Sequence, residues 1–424
     1  MEVISQHCLA VGRSCLRLLH RAIGSGVARY RYARYSLQIR VILKRHRSVK
    51  GVVIYPPYVA YSLLRQRPHQ LGMALAEQGY LFFFCTTDRQ RDGVDGFRRI
   101  EGTFYLSSAP LEIFRAVKEP TVYISYAPFW RQTVKAITGG RRATTFYDWI
   151  DDLAVFGPVE EQIGEHRELL RSAEVVAASA SMLYSEALQA RADVLLIPNG
   201  VRVQDFEKLE DKFDPPSLLR SSVEQGRPII GYYGSVSSWI DFDLLQRVLQ
   251  LNPQASFIII GHVWGLDEEH SKKWSVLRQA PNLIYIDHID YNELGAYLRW
   301  FDVAVIPFCL NEITHATSPV KLFEYMAAGK PIVTTGMFEC KKYKSVLWGN
   351  TPEEFSQRIN QALDLRKDQE YLALLREEAL ANTWAARAAM LVHAFSAENG
   401  READVESFER SRHPAGGNQD GADH

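Results

Sequence analysis

The chain has 424 residues, 46% of them hydrophobic, enough for two or three domains with sizeable cores. Net charge is −1, yet residues 1–50 hold eleven Lys or Arg against Glu2 alone, so that segment is +10 and the remainder −11. No apolar run approaches the roughly eighteen residues of a membrane-spanning helix, and five scattered cysteines (Cys8, Cys15, Cys85, Cys309, Cys340) without CxxC or Cys/His metal spacing argue for a reducing compartment and against a disulfide scaffold.

Residues 1–49 read as a basic arm. Leu16, Leu19 and Ile23 fall at i, i+3 and i+7, and Arg13, Arg17 and Arg21 at i, i+4 and i+8. That is an amphipathic basic helix suited to an anionic membrane surface, and its arginines interrupt any signal-peptide core. The plainer reading is an extension packed on the protein with a solvated basic face. Tyr30, Tyr32 and Tyr35 suit an interface, although aromatics among arginines also stack on bases. The balance favours a cytoplasmic protein peripheral to the inner membrane face, with no nucleic acid partner.

From residue 50 to 205, continuous apolar runs alternate with helical periodicity. The runs are "GVVIYPP" (51–57), "LFFFCTT" (81–87), "TFYLSS" (103–108), "TVYISY" (121–126), "ATTFYDWI" (143–150), "EVVAASA" (174–180) and "DVLLIPNG" (193–200). Strands of this kind, buried on both faces, predict a parallel sheet between helices. Residues 206–228 are polar and proline-containing and read as a linker. A second alternation over 229–370 predicts another doubly wound α/β domain: "IIGYYGS", "SFIIIGH", "NLIYIDH", "DVAVIPF" and "PIVTT", with helices between. Residues 371–396 predict a terminal helix, and 397–424 a disordered tail. Two such domains in tandem enclose a cleft toward which strand C-termini and helix N-termini point.

The stretch "THATSPVKLFEYMAAGKPIVTT" (314–335) carries the strongest chemical signal. Ser318 and Pro319 predict the start of a helix and Gly329 its end. Lys321 then lies in the first turn, where the helix dipole disfavours a cation unless an anion is present. Free N–H groups of Ser318, Val320 and Lys321, with the lysine charge, suit a phosphate. Glu324, on the same face, suits a ribose diol, so the two together describe a nucleotide. A surface Lys–Glu contact is the unremarkable alternative.

The same stretch resembles the donor-nucleotide motif of GT-B glycosyltransferases, in particular a bacterial family-4-like group with relatives in teichuronic-acid and xanthan glucuronosyl transfer. "RQRPHQLGMALAEQGY", "FYDWIDDLAVF", "IPNGV", "GYYGSVSSWIDFDLL" and "NLIYIDHIDYNELGAYLRWFDVAVIPF" follow the same order and extend the resemblance over about 52–345. It implies sugar transfer from a UDP- or GDP-linked donor to a saccharide or lipid-linked saccharide. It also implies that Lys321 contacts the diphosphate and Glu324 the ribose, that Gly234 and Ser235 approach the phosphates, and that the loop of Asp287, His288 and Ile289 holds the base. Many relatives carry a second glutamate eight residues before the Glu324 position, where this chain has Ala316. Glu312 and His315 are candidates for the sugar in its place.

Glycosyl transfer needs stabilisation of the leaving diphosphate and often a base for the acceptor hydroxyl. Lys321 and its helix supply the first; no carboxylate pair is singled out as a metal motif, so no metal and no cofactor is expected, the nucleotide sugar being a substrate. Asp148 and Asp151 of "YDWIDD", at a strand end, are candidate catalytic groups, with Asp152 behind them. Arg67 and His69, opening the first helix, are candidates for acceptor or diphosphate oxygens. A sugar-nucleotide epimerase and a silent nucleotide- or carbohydrate-binding scaffold are the competing functions. The lack of GxGxxG after an early strand argues against a dinucleotide dehydrogenase.

Overall fold

The computed structural model describes residues 26–62, 65–127, 143–156, 159–207, 214–287 and 289–397. The helix expected around 13–23 and the tail beyond 397 lie outside them.

Helix α1 (Gly26–Arg45) contains no acidic residue. Tyr35, Ile39 and Ile42, spaced three and four apart, are buried, and the two isoleucines join the first hydrophobic core. The first sheet follows with β1 (Val52–Tyr55), α2 (Arg67–Glu77), β2 (Leu81–Cys85), β3 (Phe97–Glu101), β4 (Phe104–Ser107), α3 (Pro110–Ala116) and β5 (Thr121–Ile124). It is completed by β6 (Thr144–Trp149), α4 (Val159–Ser172), β7 (Val175–Ala178), α5 (Ser181–Ala187) and β8 (Leu195–Leu196). The eight strands run β3-β4-β2-β1-β5-β6-β7-β8. All neighbours are parallel except β3 and β4, which pair antiparallel. The expected all-parallel sheet thus gains an edge strand, "FRRIE", whose Arg98 and Arg99 are exposed.

Residues 214–228, expected within a linker, contain α6 (Ser217–Glu224), which buries Leu219 in the second core. That core surrounds β9 (Ile229–Tyr233), α7 (Phe242–Leu251), β10 (Ser256–Ile260), α8 (Glu268–Leu277), β11 (Leu283–Ile286), α9 (Tyr291–Leu298) and β12 (Val303–Ile306). Then come α10 (Glu312–His315), α11 (Val320–Ala327), β13 (Ile332–Thr334), β14 (Val346–Trp348), α12 (Pro352–Leu365) and α13 (Gln369–Ala381). Its six parallel strands run β11-β10-β9-β12-β13-β14, the doubly wound order in which chain direction reverses between the first and fourth strands.

The single terminal helix expected over 371–396 is two helices. Asn382 and Thr383 separate α13 from α14 (384–397). The Val201 N–H donates to Asn382 O (3.0 Å) and the Trp384 N–H to Val201 O (3.0 Å). Beyond this junction Ala388, Leu391 and Phe395 pack into the first core, so α14 returns to the first domain.

Candidate functional site

The reversal between β9 and β12 opens a crevice at their C-terminal ends, where ligands of such sheets bind. Two glycines shape its floor. Gly234 after β9 and Gly261 after β10 have φ of 136° and 153°, and a Cβ on Gly261 would lie 1.9 Å from Gly234 O. A Cβ on Gly234 would lie 2.8 Å from Lys321 Cε, so the lysine chain runs directly over this strand end. Ser235 follows, its carbonyl accepting from the Tyr232 hydroxyl at 3.0 Å.

Helix α11 begins one residue later than the sequence suggests. Pro319 is its N-cap, extended at ψ 119° and without a side-chain cap, and Val320 is its first residue. Ser318 is buried, and both its oxygens accept from Asn199: Oγ from the backbone N–H at 3.2 Å, O from Nδ2 at 2.5 Å. It therefore joins the two domains. Lys321 has no carboxylate within ion-pair distance among the described residues; its Nζ lies 5.1 Å from the Phe308 ring centre and 5.5 Å from that of Tyr232. Burial pulls the ammonium down to about 8, against the opposing influence of Glu324, Cys340 and Asp151. A desolvated cation against two ring faces, without an ion-pair partner among the described residues, is prepared for an anionic ligand.

One turn deeper, Glu324 is buried. The Tyr233 hydroxyl donates to Oε2 at 2.6 Å and the Tyr291 hydroxyl to Oε1 at 3.3 Å. Burial pushes this carboxyl up, while the Tyr233 bond and Lys321 act to lower it. Asp287 is exposed and accepts from the Tyr285 hydroxyl at 2.8 Å, and Ile289 packs partly against the second core. His288 lies outside the described residues.

On the opposite wall the structure corrects three expectations. Asp148 is fully buried and chelated, with Arg67 Nε donating to Oδ2 (2.7 Å), Nη2 to Oδ1 (2.8 Å), and the Tyr123 hydroxyl also to Oδ2. A carboxylate so enclosed meets no substrate. Arg67, itself buried, gives its remaining Nη1 to Asn199 Oδ1 at 3.0 Å and lies 5.8 Å from the Trp384 ring. Asp148, Arg67, Asn199 and Ser318 thus form one chain from β6 to the start of α11, and position that helix. His69 braces the start of α2: Nδ1 accepts from the Gln66 N–H at 3.2 Å, and Nε2 lies 3.0 Å from Tyr61 O. Burial holds its ring down to about 4, so it stays neutral.

Asp151, two residues beyond β6, is different. Among the described residues its one hydrogen bond is to its backbone oxygen, from Trp149 Nε1 at 2.9 Å. Burial pushes its carboxyl up to about 7, with Arg67 and Lys321 opposing and Asp148 and Asp152 reinforcing the rise. Asp152 caps the turn that follows, accepting from the Ala154 N–H at 2.8 Å.

Ala316, where many relatives carry the second glutamate, is buried in the first domain's apolar core. Glu312 is exposed on α10, and the His315 ring stacks on Phe338 at 3.9 Å. The sequence also holds one DxD spacing, Asp241 and Asp243. Asp241 caps α7, and Asp243 pairs with Lys273 at 2.9 Å. No group of three or more His, Cys, Asp or Glu suited to a metal occurs among the described residues. Sequence reasoning missed Asn199, Tyr233, Tyr291 and the pair of Ser181 and Glu339, whose 2.7 Å bond from N–H to Oε1 also joins the domains. Asn199, Tyr233 and Tyr291 sat in quoted motifs, but nothing in those motifs marked their partners; Ser181 and Glu339 lay outside them.

Comparison with known proteins agrees with the fold. Residues 227–364 match the family described as Glycosyl transferases group 1. TuaH of Bacillus subtilis (strain 168), named as a teichuronic acid biosynthesis glycosyltransferase, is 24% identical over 228 residues, which cover 51% of this chain and 55% of that protein. The chain thus matches about half the length of that relative. Sucrose-phosphate synthase from Thermosynechococcus elongatus superposes with a TM-score of 0.64 at 14% identity, over 83% of this chain and all of that one. Anabaena Alr3699/HepE, solved with UDP-glucose, gives 0.56 at 12% identity over 82% of this chain and 99% of its own. The chain has the two-domain GT-B fold, and the match to glycosyl transferases group 1 falls on its second domain.

Proposed function

We propose that the protein transfers a sugar from a UDP- or GDP-linked donor to a saccharide or lipid-linked saccharide in polysaccharide biosynthesis, without a metal. One observation carries this reading. Lys321, desolvated and without a carboxylate partner among the described residues, stands at a helix N-terminus over the glycine floor of the sheet's switch point. That TuaH is named for teichuronic acid biosynthesis and HepE was solved with UDP-glucose supports the substrate classes.

In this reading the α11 N-terminus and Lys321 neutralise the diphosphate as its bond to the sugar breaks, and Glu324 orients the ribose. Asp151 faces the same cleft and takes the proton of the acceptor hydroxyl. A base must be deprotonated and Lys321 protonated. Activity at low substrate therefore rises through about pH 7 and falls above about pH 8. Asp151→Asn is expected to lower kcat by about a hundredfold or more and to erase the acidic limb. A variant with near wild-type kcat would remove Asp151 from the mechanism.

Nucleotide release from a panel of UDP-, GDP- and ADP-sugars, with and without membrane lipid extract, tests the activity. Lipid-dependent release supports the transferase; epimerised sugar nucleotide without release favours an epimerase, and binding without turnover a scaffold.

The membrane assignment rests on the outward face of α1. Tyr30, Leu37 and Val41 are 69%, 64% and 52% exposed, and their spacings of seven and four place them on one stripe. Arg29, Arg40, Lys44 and Arg45, also exposed, flank it. An anionic bilayer accommodates both the stripe and its cations. The protein is expected to float with phosphatidylglycerol vesicles and not with phosphatidylcholine vesicles, and Leu37→Asp with Val41→Asp to abolish flotation. Equal recovery of wild type and variant would exclude this face.

A further inference from the structure

Each carboxylate oxygen of Glu324 has a tyrosine partner, and the group on Oε1 also links the two domains. Tyr291 opens α9, directly after the Asp287–Asp290 loop. Its hydroxyl donates to Glu324 Oε1 at 3.3 Å and accepts from Gln70 Nε2 at 3.2 Å. Arg65 Cζ lies over its ring at 4.5 Å. Gln70 and Arg65 belong to α2 and the residues just before it, in the first domain, whereas Tyr291 and Glu324 belong to the second.

The two bonds to Glu324 are unequal. Tyr233 holds Oε2 at 2.6 Å from within the second core, where both groups are buried. The Tyr291 bond is long, and Tyr291 is only partly buried at the mouth of the cleft. A hydroxyl arriving from solvent therefore exchanges with Tyr291 and leaves Tyr233 in place.

We propose that Tyr291 holds the place of the ribose: the diol of a nucleoside diphosphate displaces its hydroxyl from Glu324 and, in doing so, breaks the Gln70 and Arg65 contacts that hold the domains together. Nucleotide binding is thereby tied to loosening of the cleft on the α2 side. The Asn199–Ser318 bonds hold the other end of the site. This inference rests on the assignment of Glu324 to the ribose.

The test is calorimetric titration of UDP and GDP into the full chain and its Tyr291→Phe, Gln70→Ala and Glu324→Gln variants. Tyr291→Phe keeps the ring beneath Arg65 and removes only the competing hydroxyl. It is expected to tighten nucleotide binding about three- to tenfold, the worth of one weak hydrogen bond. Gln70→Ala, which unties the tyrosine from the first domain, is expected to act in the same direction by a smaller factor. Unchanged or weaker binding by Tyr291→Phe, with Glu324→Gln still impaired, overturns the place-holder role and leaves the ribose assignment standing. Unchanged binding by Glu324→Gln overturns both.

Discussion

Lys321→Ala is expected to weaken binding of a nucleoside diphosphate by about a hundredfold, close to 2.7 kcal/mol. The size follows from the setting. The ammonium lies against the Phe308 and Tyr232 rings, with no carboxylate within ion-pair distance among the described residues, so a diphosphate entering there forms charge-assisted bonds in a low dielectric. The same setting fixes the pH dependence. Burial has lowered the folded-state pKa to about 8, and an anionic ligand raises it again. Binding therefore takes up a proton around and above that pH, and affinity falls as the solution becomes more alkaline. In Lys321→Ala this dependence disappears. Stability moves the other way: a lysine whose pKa is depressed on folding opposes folding below its unfolded value, so the variant's Tm is expected to equal or exceed that of the wild type. Unchanged UDP and GDP affinity, or a lowered Tm, would contradict the assignment.

The second large effect concerns the fold. Arg67→Ala removes the partner of a carboxylate that has no exposed surface, and it unties Asn199 from the first domain. Breaking a buried pair from one side costs about 3–5 kcal/mol, because the remaining charge keeps its desolvation penalty. Asp148→Asn in the same chain removes that charge, so the double variant Arg67→Ala/Asp148→Asn is expected to recover part of the loss in urea unfolding. A single variant that unfolds within about 1 kcal/mol of wild type would show that the pair does not carry the structural role given to it.

Much of the architecture was legible because buried parallel strands are continuous apolar runs. "LFFFC" and "SFIII" admit little other reading, and the structure places them in the two sheets at Leu81–Cys85 and Ser256–Ile260. The strand Phe97–Glu101 was missed because it is an edge: "FRRIE" keeps its charges in water and offers no apolar run. Helix α6 hid among prolines and polar residues since only one face is buried, through Leu219 and Ser222. The break at Asn382 left no signal in the periodicity on either side.

In the site, local chemistry was readable and long-range pairing was not. Lys321 and Glu324 share one helix face, so their association follows from spacing alone. Arg67 and Asp148 are 81 residues apart, and each looked available to a ligand until the fold joined them. The gap at Ala316 has a similar origin. Seen along the chain it is a missing glutamate; in space it is part of the junction that packs the second domain onto the first core. Tyr291 carried no signal of its own, since its partners Gln70 and Glu324 come from different domains.

The most direct measurement is a crystal structure of the chain with UDP or GDP bound. The account predicts the diphosphate against Lys321 and the N-terminus at Val320, above Gly234, with the ribose hydroxyls on Glu324 and the Tyr291 hydroxyl displaced. A nucleotide bound elsewhere, with the Lys321 ammonium still facing only the Phe308 and Tyr232 rings, would contradict it.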